Sequence, residues 1–125
     1  MQDTIKDFMT RKKFAVVGAT DNPEKNGNRI FKNLKNRGYE VYPVNPKLDE
    51  IEGSKVYHTL SDIPEKVDVV DFVVPPPVTE EILKECKKLG LTRIWLQPGA
   101  ESEQAIQYCV DNGMKVLHDV CVMMN

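Results

Sequence analysis

Four short stretches put polar or backbone-exposing residues at the abrupt ends of apolar runs: Gly18-Ala19-Thr20, Asn45-Pro46-Lys47, Val74-Pro75-Pro76 and Leu96-Gln97-Pro98-Gly99. The first has the make-up of an anion-binding loop. Gly18 lets backbone approach a ligand closely and Thr20 offers a hydroxyl. A helix expected from about Gly27 would aim free N–H groups and a positive dipole end at the same loop. Lys47 follows Asn45-Pro46, where proline closes a strand because it cannot continue a ladder, so this cation is expected beside the Gly18 loop. Each residue also has a plain structural reading. Gly18 could simply make a tight turn, Lys25 and Lys47 could be solvated, Pro75 to Pro77 could stop a strand, and Gln97 could satisfy loop backbone groups.

The familiar nucleotide fingerprints are absent. After Gly18 the next glycine is Gly27, so there is no G-x-G-x-x-G, and Val44-Asn45-Pro46-Lys47 lacks the acid that holds an NAD ribose. No G-x-x-x-x-G-K-[ST] occurs either. Ordinary NAD binding and P-loop hydrolysis are therefore set aside, leaving a crevice with a cation where a phosphorylated ribose would lie. His58 and His118 follow no metal or triad spacing. His118-Asp119-x-Cys121 lacks a fourth ligand, and no cysteine has an identifiable activating base. No catalytic residue and no metal site are expected.

These loops need a scaffold, and the apolar pattern supplies one. A helix is expected over residues 3–10, capped by Asp3 and docking through Ile5, Phe8 and Met9, with Arg11-Lys12-Lys13 as its solvated end. A strand at 14–17 leads through the loop to a helix over 27–37, with Ile30, Phe31 and Leu34 on one face and Gly38 as its stop. A strand at 40–44 follows, then a polar connection with a short strand at 55–57 and a one-turn helix near 61–64 capped by Ser61. The run from Val67 to Val74 is continuously apolar rather than alternating, which argues for a strand buried on both faces and hence a mostly parallel sheet. Thr79 is placed as the cap of a helix over 80–89, striped by Ile82, Leu83, Cys86 and Leu89 and ended by Gly90. Strand 93–96, whose Trp95 is read as core, helix 102–112 with Ala105, Ile106, Cys109 and Val110 inward, and strand 115–118 complete the chain. This alternation predicts an α/β fold: a three-layer, Rossmann-like, doubly wound, mostly parallel sheet of about five strands, forming one domain over residues 1–125.

Composition narrows the partners. The 125 residues suffice for a core without staples. With 17 Lys+Arg against 19 Asp+Glu, a net charge of -2 gives no electrostatic footprint for nucleic acid or an anionic membrane. No 18-residue apolar run occurs, and Asp3 and Asp7 stand where a signal peptide would be basic and then apolar, so a cytoplasmic location is expected. Cys86, Cys109 and Cys121, odd in number and widely spaced, read as buried thiols.

The sequence also resembles a known family. Val16-Val17-Gly18-Ala19-Thr20 with Pro23-x-Lys25-x-Gly27, then Tyr42-Pro43-Val44-Asn45-Pro46-Lys47, Val73-Val74-Pro75-Pro76-Pro77-Val78-Thr79 and Ile94-Trp95-Leu96-Gln97-Pro98-Gly99-Ala100 occur in order, each at a strand's carboxyl end. In these the chain is similar, over nearly its full length, to the N-terminal CoA-binding domain of the succinyl-CoA synthetase alpha subunit and of other acyl-CoA synthetases, and it looks like a stand-alone CoA-binding protein. The resemblance implies that Gly18, Ala19, Thr20, Asn22, Lys25 and Asn26, with Asn45 and Lys47, hold the phosphates and ribose of coenzyme A or an acyl-CoA. It implies further that Val74, Pro75 and Pro76 flank the adenine or pantetheine and that Leu96, Gln97, Pro98 and Gly99 line the other wall. In the synthetases a second domain carries the phosphorylated histidine and further phosphate loops, whereas this sequence ends at Asn125, so binding without catalysis is expected. Two other functions fit the same residues. One is an enzyme using NADP or another phosphorylated adenine nucleotide, with Lys47 reading the extra phosphate. The other is an interaction subunit that senses CoA or docks on a separately encoded synthetase half.

Overall fold

The structure, a computed structural model, describes residues 1–125. In chain order the elements are α1 (Gln2–Met9), β1 (Lys13–Val17), α2 (Asn26–Asn36), β2 (Glu40–Val44), β3 (Glu50–Ile51), β4 (Ser54–Lys55), β5 (Val69–Phe72), α3 (Pro76–Leu89), β6 (Arg93–Leu96), α4 (Glu103–Asp111) and β7 (Lys115–Leu117). Single 3-10 turns lie at Leu60–Asp62 and Val122–Met124. Five strands form one parallel sheet in the order β2-β1-β5-β6-β7, and β3 and β4 make a separate antiparallel hairpin.

Period-two alternation sorts the strand side chains onto two faces. Ala15, Val17, Val70, Phe72, Ile94 and Leu96 pack against Leu83 and Cys86 of α3 and Ala105 and Cys109 of α4. Phe14, Val16, Val69 and Trp95 pack against Ile5 and Phe8 of α1 and Ile30, Phe31 and Leu34 of α2. The molecule is thus the three-layer, Rossmann-like α/β fold that the alternation predicted. The chain leaves β1 toward one side of the sheet and returns at β5 to continue toward the other, so a topological switch point lies between them. In such sheets the ligand crevice opens beyond the carboxyl ends at that point.

Several local expectations are corrected. Helix α3 starts at Pro76 rather than after Thr79, because proline at the first helical positions brings a preset φ and loses only an N–H that had no partner there. Thr79 therefore sits inside the helix, buried, with its hydroxyl unpartnered. Asp3 lies within the first turn of α1, whose cap position is Met1, and Ser61 makes no cap because its hydroxyl bonds Glu85. The strand expected at 55–57 divides. Ser54-Lys55 pairs with Glu50-Ile51 across Glu52 and Gly53, both with the positive φ that a two-residue hairpin turn requires, while Tyr57 makes a lone parallel bridge to Val44. Leu89 and Val110 are exposed rather than inward, and Cys121 is only partly buried.

Candidate functional site

The site starts where β1 stops. The Gly18 N–H donates to the Val44 carbonyl (3.0 Å), so the loop leaves β1 pinned to the end of β2. Gly18 has φ +98, and a Cβ there would lie 2.2 Å from the Val73 carbonyl oxygen, which closes the loop onto the end of β5. Gly27 is equally constrained, because a Cβ on it would lie 2.1 Å from the Gly18 carbonyl oxygen. Three backbone segments thus meet at a distance only glycine permits.

Two asparagines brace this junction. Asn45 donates from Nδ2 to the Ala19 carbonyl (2.9 Å) and accepts at Oδ1 from the Lys47 N–H (2.8 Å), stapling the β2 end to the loop. Buried Asn28, on the first turns of α2, donates to the Thr20 carbonyl (2.9 Å). Thr20 Oγ1 accepts from the Asn22 N–H (3.3 Å), and Asn22 Oδ1 accepts from the Glu24 N–H (3.0 Å), which folds the rest of the loop back on itself. With both carbonyls drawn toward protein donors, the N–H groups of Ala19 and Thr20 are left without acceptors. The N–H groups of Asn26 and Gly27 at the start of α2 are likewise free. That helix has no side-chain cap and no acid in its first turn. Lys25 and Lys47 are exposed and form no ion pair, whereas nearby His58 on the rim is held by Asp49 (Nε2 to Oδ1, 2.8 Å). Free N–H groups at a positive helix end with two unpaired cations make a receptor for an anion.

Three depressions meet here. One of about 570 Å³ lies over Gly18, Thr20, Lys25, Asn26 and Gly27. A second, of about 600 Å³, shares Gly18, Lys25, Asn45 and Val74 with it and runs past Lys47 into a groove walled by Val44, Leu60, Val78 and Ile82. The third, about 300 Å³, lies between Val73–Pro76 and Pro98–Ala100. A hollow of about 230 Å³ beside Ile63, Leu89 and Leu91 backs onto the groove at Leu60 and reaches none of the strand-end loops.

The structure therefore gathers Gly18, Thr20, Lys25, Asn26, Asn45, Lys47, Val74, Pro75, Pro76, Pro98 and Gly99 around one crevice, with Asn22 shaping the loop behind it, while Ala19 is fully buried in the core with Ile30 and Phe31 of α2. It does not bring Leu96 and Gln97 there. Leu96 is fully buried in the core beneath α3 and α4. Gln97 is buried too, donating to Asp71 Oδ1 (2.5 Å) and accepting from the Val122 N–H (3.0 Å), so it ties β5 to the C-terminal 3-10 turn. Asp71 is wholly buried, and desolvation pushes its carboxyl up to about 7 against the opposing pull of the Gln97 hydrogen bond. Its second oxygen has no partner, as suits a protonated acid. Burial likewise raises the thiols of Cys86 and Cys109, the latter to about 11, which leaves them unreactive. His118 pairs only with Asp119 (2.6 Å), and no group of three or more His, Cys, Asp or Glu side chains comes together. Reading the sequence missed Asn28, His58, Ile82 and Glu85 as residues of this region. An asparagine three residues before Phe31, in line with an otherwise apolar helix stripe, was the one signal for Asn28.

The chain is similar to known proteins in both sequence and fold. A family profile described as a CoA binding domain matches residues 12–125. The solved structure of a conserved hypothetical protein from Pyrococcus furiosus superposes with a TM-score of 0.87 at 45% identity, over 90% of this chain and 97% of that one. YneT of Bacillus subtilis is 31% identical over 94% of this chain and 88% of its own length. The alpha subunit of ADP-forming acetate–CoA ligase II from Pyrococcus furiosus is 31% identical over 92% of this chain, which spans 28% of that subunit.

Proposed function

The chain belongs to the CoA binding domain family, and from that premise we propose that it binds coenzyme A or an acyl-CoA at the switch-point crevice and does no chemistry of its own. The observation that carries this is the convergence of free loop and helix N–H groups with unpaired Lys25 and Lys47 beside an apolar groove. Coenzyme A presents the matching features: a pyrophosphate and a ribose phosphate for the donors, and an adenine for an apolar slot. The loop from Gly18 to Gly27 takes the pyrophosphate, Lys47 the ribose phosphate, Val74 and Pro75 flank the pantetheine, and the apolar groove beyond Lys47 takes the base. The hollow between Val73–Pro76 and Pro98–Ala100 offers a way out for the pantetheine arm. No cysteine or serine lines the crevice to serve as a nucleophile beside its one histidine, His58, which is paired with Asp49. Three free cysteines suit a reducing compartment, hence the cytoplasm, and no helix is long and apolar enough to cross a membrane. The ligase relative's alpha subunit, much longer than this chain, makes a separately encoded protein partner a second expectation.

The test is a thermal-shift panel of CoA, acetyl-CoA, NADP and NAD. A ligand at about 100 times its dissociation constant adds about 2.7 kcal/mol, which raises the melting temperature of a domain this size by several degrees. CoA should do so and NAD should not. A shift with NADP alone would favour the phosphorylated-nucleotide enzyme instead, and no shift with saturating CoA would overturn the proposal.

A further inference from the structure

The groove that leaves the phosphate loop is not apolar throughout. Its inner wall is α3, from which Val78, Ile82 and Glu85 project at i, i+4 and i+7, one face of the helix. Its outer wall is the segment after β4, held against β2 by the Tyr57 N–H to the Pro43 carbonyl (2.9 Å) and the Asn45 N–H to the Tyr57 carbonyl (3.0 Å). At 1.5 Å per residue, Glu85 stands roughly 10 Å further along the helix than Val78, and so away from the loop and its free lysines. Ser61 faces it there. The Ser61 hydroxyl (2.7 Å) and N–H (3.3 Å) both donate to Glu85 Oε2, which fixes the carboxylate and leaves Oε1 without a protein partner. The groove thus grades from free cations, through an apolar slot, to one oriented acceptor.

That sequence of chemistries matches a phosphorylated adenosine read from its phosphate to its base. We propose that Glu85, positioned by Ser61, is the residue that selects the base, accepting from the exocyclic amine of an adenine held between Leu60 and Ile82. An acceptor-only side chain welcomes the 6-amino group and repels a 6-oxo group, so the site distinguishes adenine from hypoxanthine or guanine. The carboxylate also repels phosphate, which fixes the direction in which the ligand lies. This inference rests on the coenzyme A reading and extends it to a residue outside the phosphate-binding loops.

The experiment is calorimetric titration of the full chain and of its E85A, E85Q and S61A variants. The two probes are coenzyme A and coenzyme A whose adenine has been deaminated to hypoxanthine. The parent should bind coenzyme A about tenfold or more tightly than the deaminated probe, the discrimination one well-placed base contact supplies. E85A should bind the two alike. E85Q, whose amide can donate to the 6-oxo group, should level or invert the preference, an outcome that a merely structural role for Glu85 would not produce. S61A should fall between parent and E85A. Unliganded melting curves show which variants are folded, and E85Q keeps the test open if E85A is not. Equal affinity of the parent for both probes, or a preference that survives in E85A or E85Q, would overturn the assignment while leaving coenzyme A binding intact. Failure of the parent to bind coenzyme A would overturn the underlying function and this inference with it.

Discussion

The two edges of the sheet are made of the same parallel strands and differ in what their charges have left over. At the amino edge Asp7 of α1 gathers Arg11 (2.6 Å), Arg93 at the start of β6 (3.0 Å) and Lys115 at the start of β7 (3.6 Å). Asp68 accepts from the Lys12 and Lys13 N–H groups, and Lys13 pairs with Glu65. Hydrogen bonds from Arg11 and then Arg93 hold the Asp7 carboxyl down at about 2. At the carboxyl edge the asparagines consume carbonyls, while N–H groups and two lysines stay free. A closed network holds strands together. An open one, with donors and cations left unpaired, is a place for something that the protein itself does not contain.

The largest effect we expect comes from the carboxyls, with opposite signs. Asp71 is raised from 3.8 to about 7, so the folded state holds its proton where the unfolded state has lost it. Its contribution is complete below about pH 4 and falls away as pH rises to about 7, by on the order of 4 kcal/mol. Asp7 does the reverse: its contribution is present above its unfolded value and is lost as pH falls toward about 2. Melting temperature followed from pH 4 to 8 should therefore decline more steeply in the parent than in Asp71→Asn, which mimics the protonated acid. Parallel curves would show Asp71 to be ionised.

Next in size is a single added methyl group. Gly27→Ala drives a Cβ into the Gly18 carbonyl and should lose about 3 kcal/mol in denaturant unfolding. At the amino edge Gly113, with φ +69 and nothing within 4 Å of its would-be Cβ, should lose only about 1 kcal/mol as alanine, the left-handed backbone alone. Equal losses would mean that the tight packing at the crevice has no energetic weight.

Smallest on the fold, and sharpest for function, are the free lysines. Lys47→Ala should leave the unliganded melting temperature unchanged, yet weaken coenzyme A about tenfold by removing one charge-assisted contact. Lys115→Ala should leave binding untouched. Dephospho-CoA should bind parent and Lys47→Ala alike if Lys47 holds the ribose phosphate, and equal loss for both ligands would put it on the pyrophosphate.

How far the sequence could be read follows from the range of the forces involved. Strands β1, β2, β5 and β6 and helix α2 were legible because apolar period and glycine stops are local. So were Gly18, Asn45 and Lys47, since strand ends in such a sheet face one crevice. The start of α3 was misjudged because Thr79 looks like a cap, while Pro76 and Pro77 suit a first turn equally well. The β3–β4 hairpin was missed because Glu52 does not advertise a positive φ as asparagine would. Gln97 was put on the wrong side because its partners, Asp71 and Val122, are 26 and 25 residues away and only the folded chain brings them together. Glu85 was hidden for the same reason, Ser61 being 24 residues upstream.

The most direct test of the contrast between the edges is an amide nitrogen–proton correlation spectrum recorded while coenzyme A is added. The account expects shifts at Gly18 to Gly27, Asn45, Lys47, Val73 and Val74, and along α3 to Glu85. It expects none at Asp7, Lys13, Arg93 or Lys115. Shifts centred on the amino edge, or an unchanged spectrum at saturating coenzyme A, would contradict it.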